Sequence, residues 1–351
     1  MTTHSLISST QSSRERPRDQ LGRPLHDLRI SVMDRCNFRC PYCMPETTYG
    51  EHFKFLGNDE RLSFDEIERL SRLAASLGVS KLRLTGGEPL LRPRLAELIA
   101  RLKRLDGIDD LAMTTNGVLL ARQAVELREA GLDRITISLD TLDQAVFHRL
   151  SGGRGALGDV MAGVEAAQAA AFPKGIKLNA VIQRGVNDDT ALDLVERFRG
   201  SGIVVRFIEY MDVGNRNDWA SDAVVPSREL VERINARWPL EAVAPQYPGE
   251  VAARYRFRDG IGEVGMISSV SNPFCGGCSR ARLSSEGLLY TCLFATQGAD
   301  LRTPLREGAD DDALRELLRK IWLGRADRYS EERAARREQH PHKIEMHYIG
   351  G

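Results

Sequence analysis

Lysine is scarce in this chain: of 49 basic side chains in 351 residues only seven are lysine, so arginine carries nearly all the positive charge. A net charge is missing too, because 49 acidic side chains balance the basic ones. That balance excludes a protein that grips nucleic acid or an anionic membrane through bulk electrostatics, while leaving room for local basic pockets. Long hydrophobic runs are absent, since charge interrupts every apolar stretch well short of the roughly 18 residues that a membrane-spanning helix needs. No GxxxxGK[ST] loop occurs, so any nucleotide phosphate must be met by side chains, and arginine can grip its oxygens bidentately. The opening "MTTHSLISSTQSSRERPRDQLGRP" lacks the apolar core of a secretory signal, and Glu15 and Asp19 weigh against a transit peptide. A flexible lead-in over residues 1–25 and a cytoplasmic protein are expected.

No cysteine is left over. All six fall into two triplets, Cys36, Cys40, Cys43 and Cys275, Cys278, Cys292. A large chain without a signal, whose cysteines bunch instead of spreading, makes a poor disulfide framework, and metal binding fits better. The first triplet, "CNFRCPYC", is spaced CxxxCxxC; the second runs C-x2-C-x13-C within "NPFCGGCSRARLSSEGLLYTCLF". Structural zinc takes four ligands, and the first triplet offers three, with His52 nine residues on. An iron–sulfur cluster with one iron open, a zinc site and a redox dithiol are all compatible with these residues.

The length suits one large domain or two. From about residue 27 to 211, six β-rich runs (27–33, 81–86, 110–116, 134–140, 177–182 and 204–211) alternate with helical patterns. In "SFDEIERLSRLAASLG", Ser63 and Glu66 make a capping box, apolar residues recur at three and four, and Gly78 is a stop signal. Six such units imply a parallel sheet with right-handed crossovers. The first cysteines, "TGGEP", "TTN", "SLD" and "EYM" all fall at strand C-terminal ends, which a curled sheet gathers at one mouth. Lys177 and Arg206 fit that pattern less well, because they stand near strand starts. The expected fold is α/β, a partial (βα)6 TIM-type barrel over residues 26–240. A small α+β domain over 241–330 would carry the second triplet and cover the mouth, and a tail over 331–351 ends in Gly-Gly.

The CxxxCxxC motif with Tyr42 before its last cysteine, followed by "GGEP" after the second strand, resembles the radical S-adenosylmethionine (radical SAM) enzymes. "LRLTGGEPLLR", "TTNG", "ISLDTLD", "KLNAVIQRGVND", "RFIEYM", the second triplet and the terminal "GG" extend the resemblance over nearly the whole chain, to the GTP-cyclising branch that opens molybdenum cofactor biosynthesis. The resemblance implies two [4Fe–4S] clusters, held by Cys36, Cys40 and Cys43 and by Cys275, Cys278 and Cys292. In such enzymes S-adenosylmethionine is cleaved at the first cluster to a 5′-deoxyadenosyl radical. It implies SAM binding by Tyr42, Gly87, Ser138 and Met211, and GTP binding by Arg29, Arg83, Thr114, Lys177, Arg280 and Arg282. Arg29, Arg280 and Arg282 also stand among its catalytic residues, with Gly350 and Gly351 reaching into the site.

A single arginine among so many is normally a solvated surface group. Arg83 and Lys177 differ because they fall inside expected strands, where charge is costly unless it faces a polar cavity. Arg280 and Arg282 alternate along a strand-like run and so face one side. The implied partners are GTP as substrate, a low-potential electron donor and cyclic pyranopterin monophosphate synthase as next enzyme. A homodimer is compatible with the resemblance; nucleic acid and membrane are not expected partners. Two other readings are a radical SAM peptide-modifying enzyme with an auxiliary cluster, and a zinc-stabilised nucleic-acid-binding module.

Overall fold

The computed structural model describes residues 16–216, 219–247, 249–335 and 343–350. Its strands are β1 (Asp27–Ser31), β2 (Lys81–Thr85), β3 (Asp110–Thr115), β4 (Arg134–Ser138), β5 (Ile176–Ile182), β6 (Val204–Glu209), β7 (Leu240–Val243), β8 (Ala253–Phe257), β9 (Glu263–Ile267), β10 (Arg280–Leu283), β11 (Leu288–Tyr290) and β12 (Ala299–Asp300). They form one twelve-stranded sheet in the order β12-β11-β10-β1-β2-β3-β4-β5-β6-β9-β8-β7. From β10 to β9 every pairing is parallel, while β11, β12, β8 and β7 extend the two edges antiparallel.

The helices are α1 (Phe64–Ser76), α2 (Leu95–Lys103), α3 (Ala124–Glu129), α4 (Gln144–Leu150), α5 (Leu157–Ala170), α6 (Ala191–Phe198), α7 (Ser227–Arg237), α8 (Arg302–Arg306), α9 (Asp311–Leu323) and α10 (Met346–Ile349). The expected capping box starts α1: Glu66 N–H donates to Ser63 Oγ at 3.1 Å, and Ser63 N–H donates to Glu66 Oε2 at 2.7 Å. Ile67, Leu70, Leu73 and Ala74 then bury one face, as their spacing predicts.

A parallel sheet covered on both faces reads as nearly continuous hydrophobic strands. These strands alternate instead. Leu28, Ile30, Leu82, Leu84, Leu111, Met113, Ile135, Ile137, Leu178, Ala180, Val205 and Phe207 are buried on one face in a single large core. The positions between them, Ala112 excepted, are polar or charged: Asp27 and Arg29, Lys81 and Arg83, Thr114, Arg134 and Thr136, Lys177 and Asn179, Arg206. They surround a cavity touched by strands β1 to β6, β9 and β10, so the sheet curls around its polar face.

Two features differ from the sequence expectation. Cys278 lies just before β10, whose first residue, Arg280, pairs with the first residue of β1, Asp27. The second triplet therefore stands at the N-terminal end of the parallel strands, opposite the mouth where the first triplet lies. It cannot cap that mouth, because the strands after Met211 join the edges of the sheet instead of forming a layer over it. Within the expected flexible lead-in, residues 1–15 lie outside the described residues, but 16–25 are packed. Arg23 pairs with buried Asp19 at 2.6 Å, and Trp322 Nε1 donates to the Arg23 carbonyl at 3.0 Å. Composition registered only that this segment cannot fold alone; the Asp19–Arg325 ion pair and hydrogen bonds from Arg23 to distant carbonyls hold it.

Candidate functional site

Two adjoining cavities share the wall made by Thr114, Asn179, Val181, Ile208 and Met346. One, of about 180 Å³, opens at the C-terminal strand ends and is lined by Cys36, Cys40 and Cys43. The other, of about 210 Å³, lies along the strands towards their N-terminal ends and is lined by Cys275, Cys278 and Cys292. All six thiols are free. They line the cavity walls without converging on a point: among the described residues no three His, Cys, Asp or Glu side chains could share one metal ion. Three soft thiols spread around a cavity accommodate a group several atoms across, as an iron–sulfur cluster is.

The loop carrying the first triplet is seated on the "GGEP" turn. Gly87 N–H donates to the Met33 carbonyl at 2.7 Å and Glu88 N–H to the Arg35 carbonyl at 2.8 Å. A Cβ on Gly87 would overlap the Arg35 carbonyl, which is why the turn has no side chain there. Fully buried Glu88 accepts from Leu90 N–H, Thr115 Oγ1 and Asn116 N–H at 2.7 to 3.0 Å, tying the loops after β2 and β3 together. Burial pushes its carboxyl up to about 7 against those three donors. Asn116 Nδ2 then reaches Asn37 at 2.7 Å and the Cys36 sulfur at 3.7 Å. Tyr42 donates to Asp140 Oδ2 at 2.7 Å, and Asp140 Oδ1 accepts from Val181 N–H at 2.8 Å. Burial pushes Asp140 up to about 6. It also pushes the Cys36 thiol up to about 12, with the Glu88 charge adding, and Cys40 and Cys43 upwards. Such thiols become thiolates when a cation takes the proton's place.

The second cavity gathers positive charge. Arg29, Arg83 and Arg282 sit side by side in register across β1, β2 and β10, and Arg280, Lys81, Arg134, Lys177 and Arg206 join them. Burial depresses five of these cations, and repulsion from their neighbours adds: Lys177 falls to about 7, Arg206 to about 9, Arg83 and Arg282 to about 10, and Arg29 well below its usual value; Arg280 is raised instead, because Cys278 outweighs its burial. Asp27 offsets part of this through Lys81 at 3.3 Å, and Asp110 pairs with Arg134. Among the described residues, buried Arg206 Nε and Arg134 Nε find no hydrogen-bond partner. A buried cation group so poorly compensated is costly unless a polyanion completes it.

The second triplet is built into the same wall. Arg280 Nη2 donates to Cys278 Sγ at 3.3 Å and Arg325 Nη1 to the Cys278 carbonyl at 2.6 Å. Burial raises the Cys278 thiol, but Arg280 and Arg325 outweigh it and bring it down to about 6. Arg23 Nη1 supports the Cys275 carbonyl at 2.8 Å. From the chain terminus, Gly350 enters between the cavities: its carbonyl accepts from Arg282 Nη1, and a Cβ on it would overlap Thr85. Gly351 lies outside the described residues.

The structure thus brings Arg29, Arg83, Thr114, Lys177, Arg280 and Arg282 into one cavity, and Tyr42, Gly87 and Ser138 into the other with the first triplet. Met211 lines the second cavity, not the first where Tyr42 stands. Lys81, Arg134, Asn179 and Asp140 were not singled out from sequence. The signal was present, because each of the first three stands two positions from a residue facing inwards, on the same side of its strand.

Residues 30–198 match the Radical SAM superfamily, and residues 203–331 match Molybdenum Cofactor Synthesis C. The chain is 57% identical over 334 residues to the GTP 3′,8-cyclase of Xanthomonas axonopodis pv. citri (strain 306), covering 95% of this chain and 98% of that one. It is 51% identical to that of Acidothermus cellulolyticus (95% and 99% covered) and 45% identical to that of Staphylococcus aureus strain Mu3 (96% and 99%). Among solved structures, Streptococcus suis SuiB bound to S-adenosylmethionine superposes with a TM-score of 0.57 at 17% identity, covering 85% of this chain and 68% of that one. That likeness speaks to the fold alone, whereas the cyclase matches span both thiol triplets and the cation-lined cavity between them. The chain belongs to the GTP 3′,8-cyclase family of radical SAM enzymes.

Proposed function

We propose that this chain converts GTP to 3′,8-cyclo-7,8-dihydro-GTP, the first step of molybdenum cofactor biosynthesis. The carrying observation is the row of buried, under-compensated cations lying between two thiol triplets at opposite strand ends. When bound, S-adenosylmethionine and a [4Fe–4S] cluster on Cys36, Cys40 and Cys43 supply a 5′-deoxyadenosyl radical. Gly86 and Gly87 leave a backbone edge open for the methionine part, and Tyr42 and Ser138 line the rest of that cavity. Arg29, Arg83, Lys177, Arg280 and Arg282, joined by Lys81, Arg134 and Arg206, hold the triphosphate. Cys275, Cys278 and Cys292 would hold the second cluster at the N-terminal strand ends, the end of the cavity assigned to the base. Thr114 and Asn179, which touch both cavities, keep the ribose at the junction with its C3′ hydrogen facing the first one.

In this reading residues 26–240 form the radical-generating barrel, 241–330 supply the second cluster, and 331–351 are the tail. Met211, Gly350 and Gly351 complete the site from the loop after β6 and from the terminus. A low-potential donor supplies electrons, cyclic pyranopterin monophosphate synthase takes the product, and the enzyme works in the cytoplasm; among the described residues no helix is long and apolar enough to cross a membrane. The test is to incubate cluster-reconstituted protein with S-adenosylmethionine, reductant and GTP. Formation of 5′-deoxyadenosine together with the cyclic nucleotide is expected; deoxyadenosine formation indifferent to GTP overturns the reading.

A further inference from the structure

The loop after β6 does more than end a strand. Asp212 is 4% exposed and accepts three side-chain hydrogen bonds: from Arg333 Nε at 2.9 Å, Tyr329 Oη at 2.6 Å and Lys343 Nζ at 2.8 Å. Lys343 Nζ also donates to the Asp212 main-chain carbonyl at 2.8 Å. Three residues on, Asn215 repeats the grip: its Oδ1 accepts from Lys343 N–H at 2.9 Å, and its own N–H donates to Glu345 Oε1 at 3.0 Å. From the other side, Ile344 N–H donates to the Ala295 carbonyl at 3.0 Å. Immediately beyond this clamp the chain enters the site: Met346 touches both cavities, His347 is buried against the first, and Gly350 meets Arg282.

We propose that Asp212 is the anchor of the C-terminal strap, a positioning residue that fixes residues 343–350 and so keeps Gly350 beside Arg282. The inference rests on the cyclase reading for its effect on turnover, though not for the clamp itself. A strap of eight residues inserted between two ligand cavities loses considerable conformational freedom, and Gly350 has no side chain to hold it. A buried carboxylate sharing two cations and a phenol is a fixed post, and removing one partner leaves a buried charge unpaired. The same loop presents Met211 to the second cavity, so the post and the wall of the ligand site are one piece of backbone.

The experiment uses full-length, cluster-reconstituted protein carrying Asp212→Asn, Lys343→Met or Lys343→Arg. Amide hydrogen exchange of the peptide spanning residues 343–351 is expected to quicken by about tenfold or more in Asp212→Asn and Lys343→Met, and to stay near normal in Lys343→Arg. With iron content unchanged, GTP-dependent kcat for deoxyadenosine should fall about tenfold or more in the first two, with a smaller change in the KM for GTP. Lys343→Met lies on the strap itself, so it remains informative if Asp212→Asn does not fold. Unchanged exchange of that peptide in Lys343→Met overturns the anchor, whatever happens to activity. If the unsubstituted protein makes deoxyadenosine indifferently to GTP, the cyclase reading fails, while the exchange result still decides the anchor.

Discussion

Lys177 is the residue whose chemistry the cavity alters most usefully. Burial, then repulsion from Arg206, Arg134, Arg83 and Lys81, brings its ammonium down to about 7. A bound triphosphate stabilises the charged form and raises that value, so binding takes up a proton wherever the free amine has lost it. Affinity for GTP is therefore expected to be flat below about pH 7 and to weaken above it, by up to about tenfold per pH unit until the bound-state value is reached. Equilibrium binding between pH 6 and 9 checks this, and Lys177→Met should bind more weakly with that slope removed. A slope that survives the substitution assigns the proton to another group. At Gly87 the issue is space, not charge. Gly87→Ala forces a methyl group into the Arg35 carbonyl, so the cysteine loop must shift away from the turn. Such backbone displacement typically costs about 1–3 kcal/mol. Iron loading at the second triplet should persist while SAM cleavage falls by at least about a hundredfold, since loop misplacement acts directly on the reacting geometry.

Single elements carried most of the legible information. All six inner strands begin within a residue of the expected positions, because β-rich runs bounded by turns and capped helices mark their own limits. The helices over Ser227–Arg237 and Asp311–Leu323 carry local marks of the same kind, Pro226 before the first and the Asp310 cap before the second. What could not be read was pairing between distant elements. Nothing local in "RARL" says that it lies parallel to "DLRIS", 253 positions earlier, yet that pairing puts Arg282 beside Arg29 and turns the second triplet to the far end of the sheet. β7 escaped notice because four residues in a proline-containing linker show little periodicity, and only its antiparallel partner β8 defines it. Asp212 escaped because its partners are more than a hundred positions away. By contrast, the capping box of α1 is local, and its effect should be local too. Ser63→Ala is expected to cost about 1 kcal/mol, seen as a melting temperature lower by about 1–2 °C, with GTP turnover unchanged. A turnover loss exceeding the stability loss would mean that α1 also positions the loop before it.

At the scale of the whole molecule, the two thiol triplets are separated by the length of the strands, five residues or roughly 15 Å at the usual rise. The cation row lies between them, so on the proposed function the molecule is organised as a passage with a cluster site at each end and an anion holder in its wall. The ends draw on different supports. The first triplet rests on Gly87, Glu88 and Asn116; the second rests on Arg280 and on Arg23 and Arg325, the latter two tied to Asp19. Because these supports are distinct among the described residues, the two ends should load and fail separately. Cys275→Ser is expected to lower iron from about eight to about four per chain, as loss of one [4Fe–4S] cluster requires. SAM binding and slow, GTP-independent SAM cleavage should survive, because the first triplet and its turn are untouched. GTP affinity should fall by about tenfold or more, since the base loses its support while the arginines still hold the phosphates. Inorganic triphosphate makes the division measurable: it carries only the part that the arginines grip, so its affinity should change by less than about threefold in the same variant. Equal losses for GTP and triphosphate would mean that the second triplet shapes the cation row itself, through Arg280 on Cys278, and that the wall and the end of the passage form a single unit.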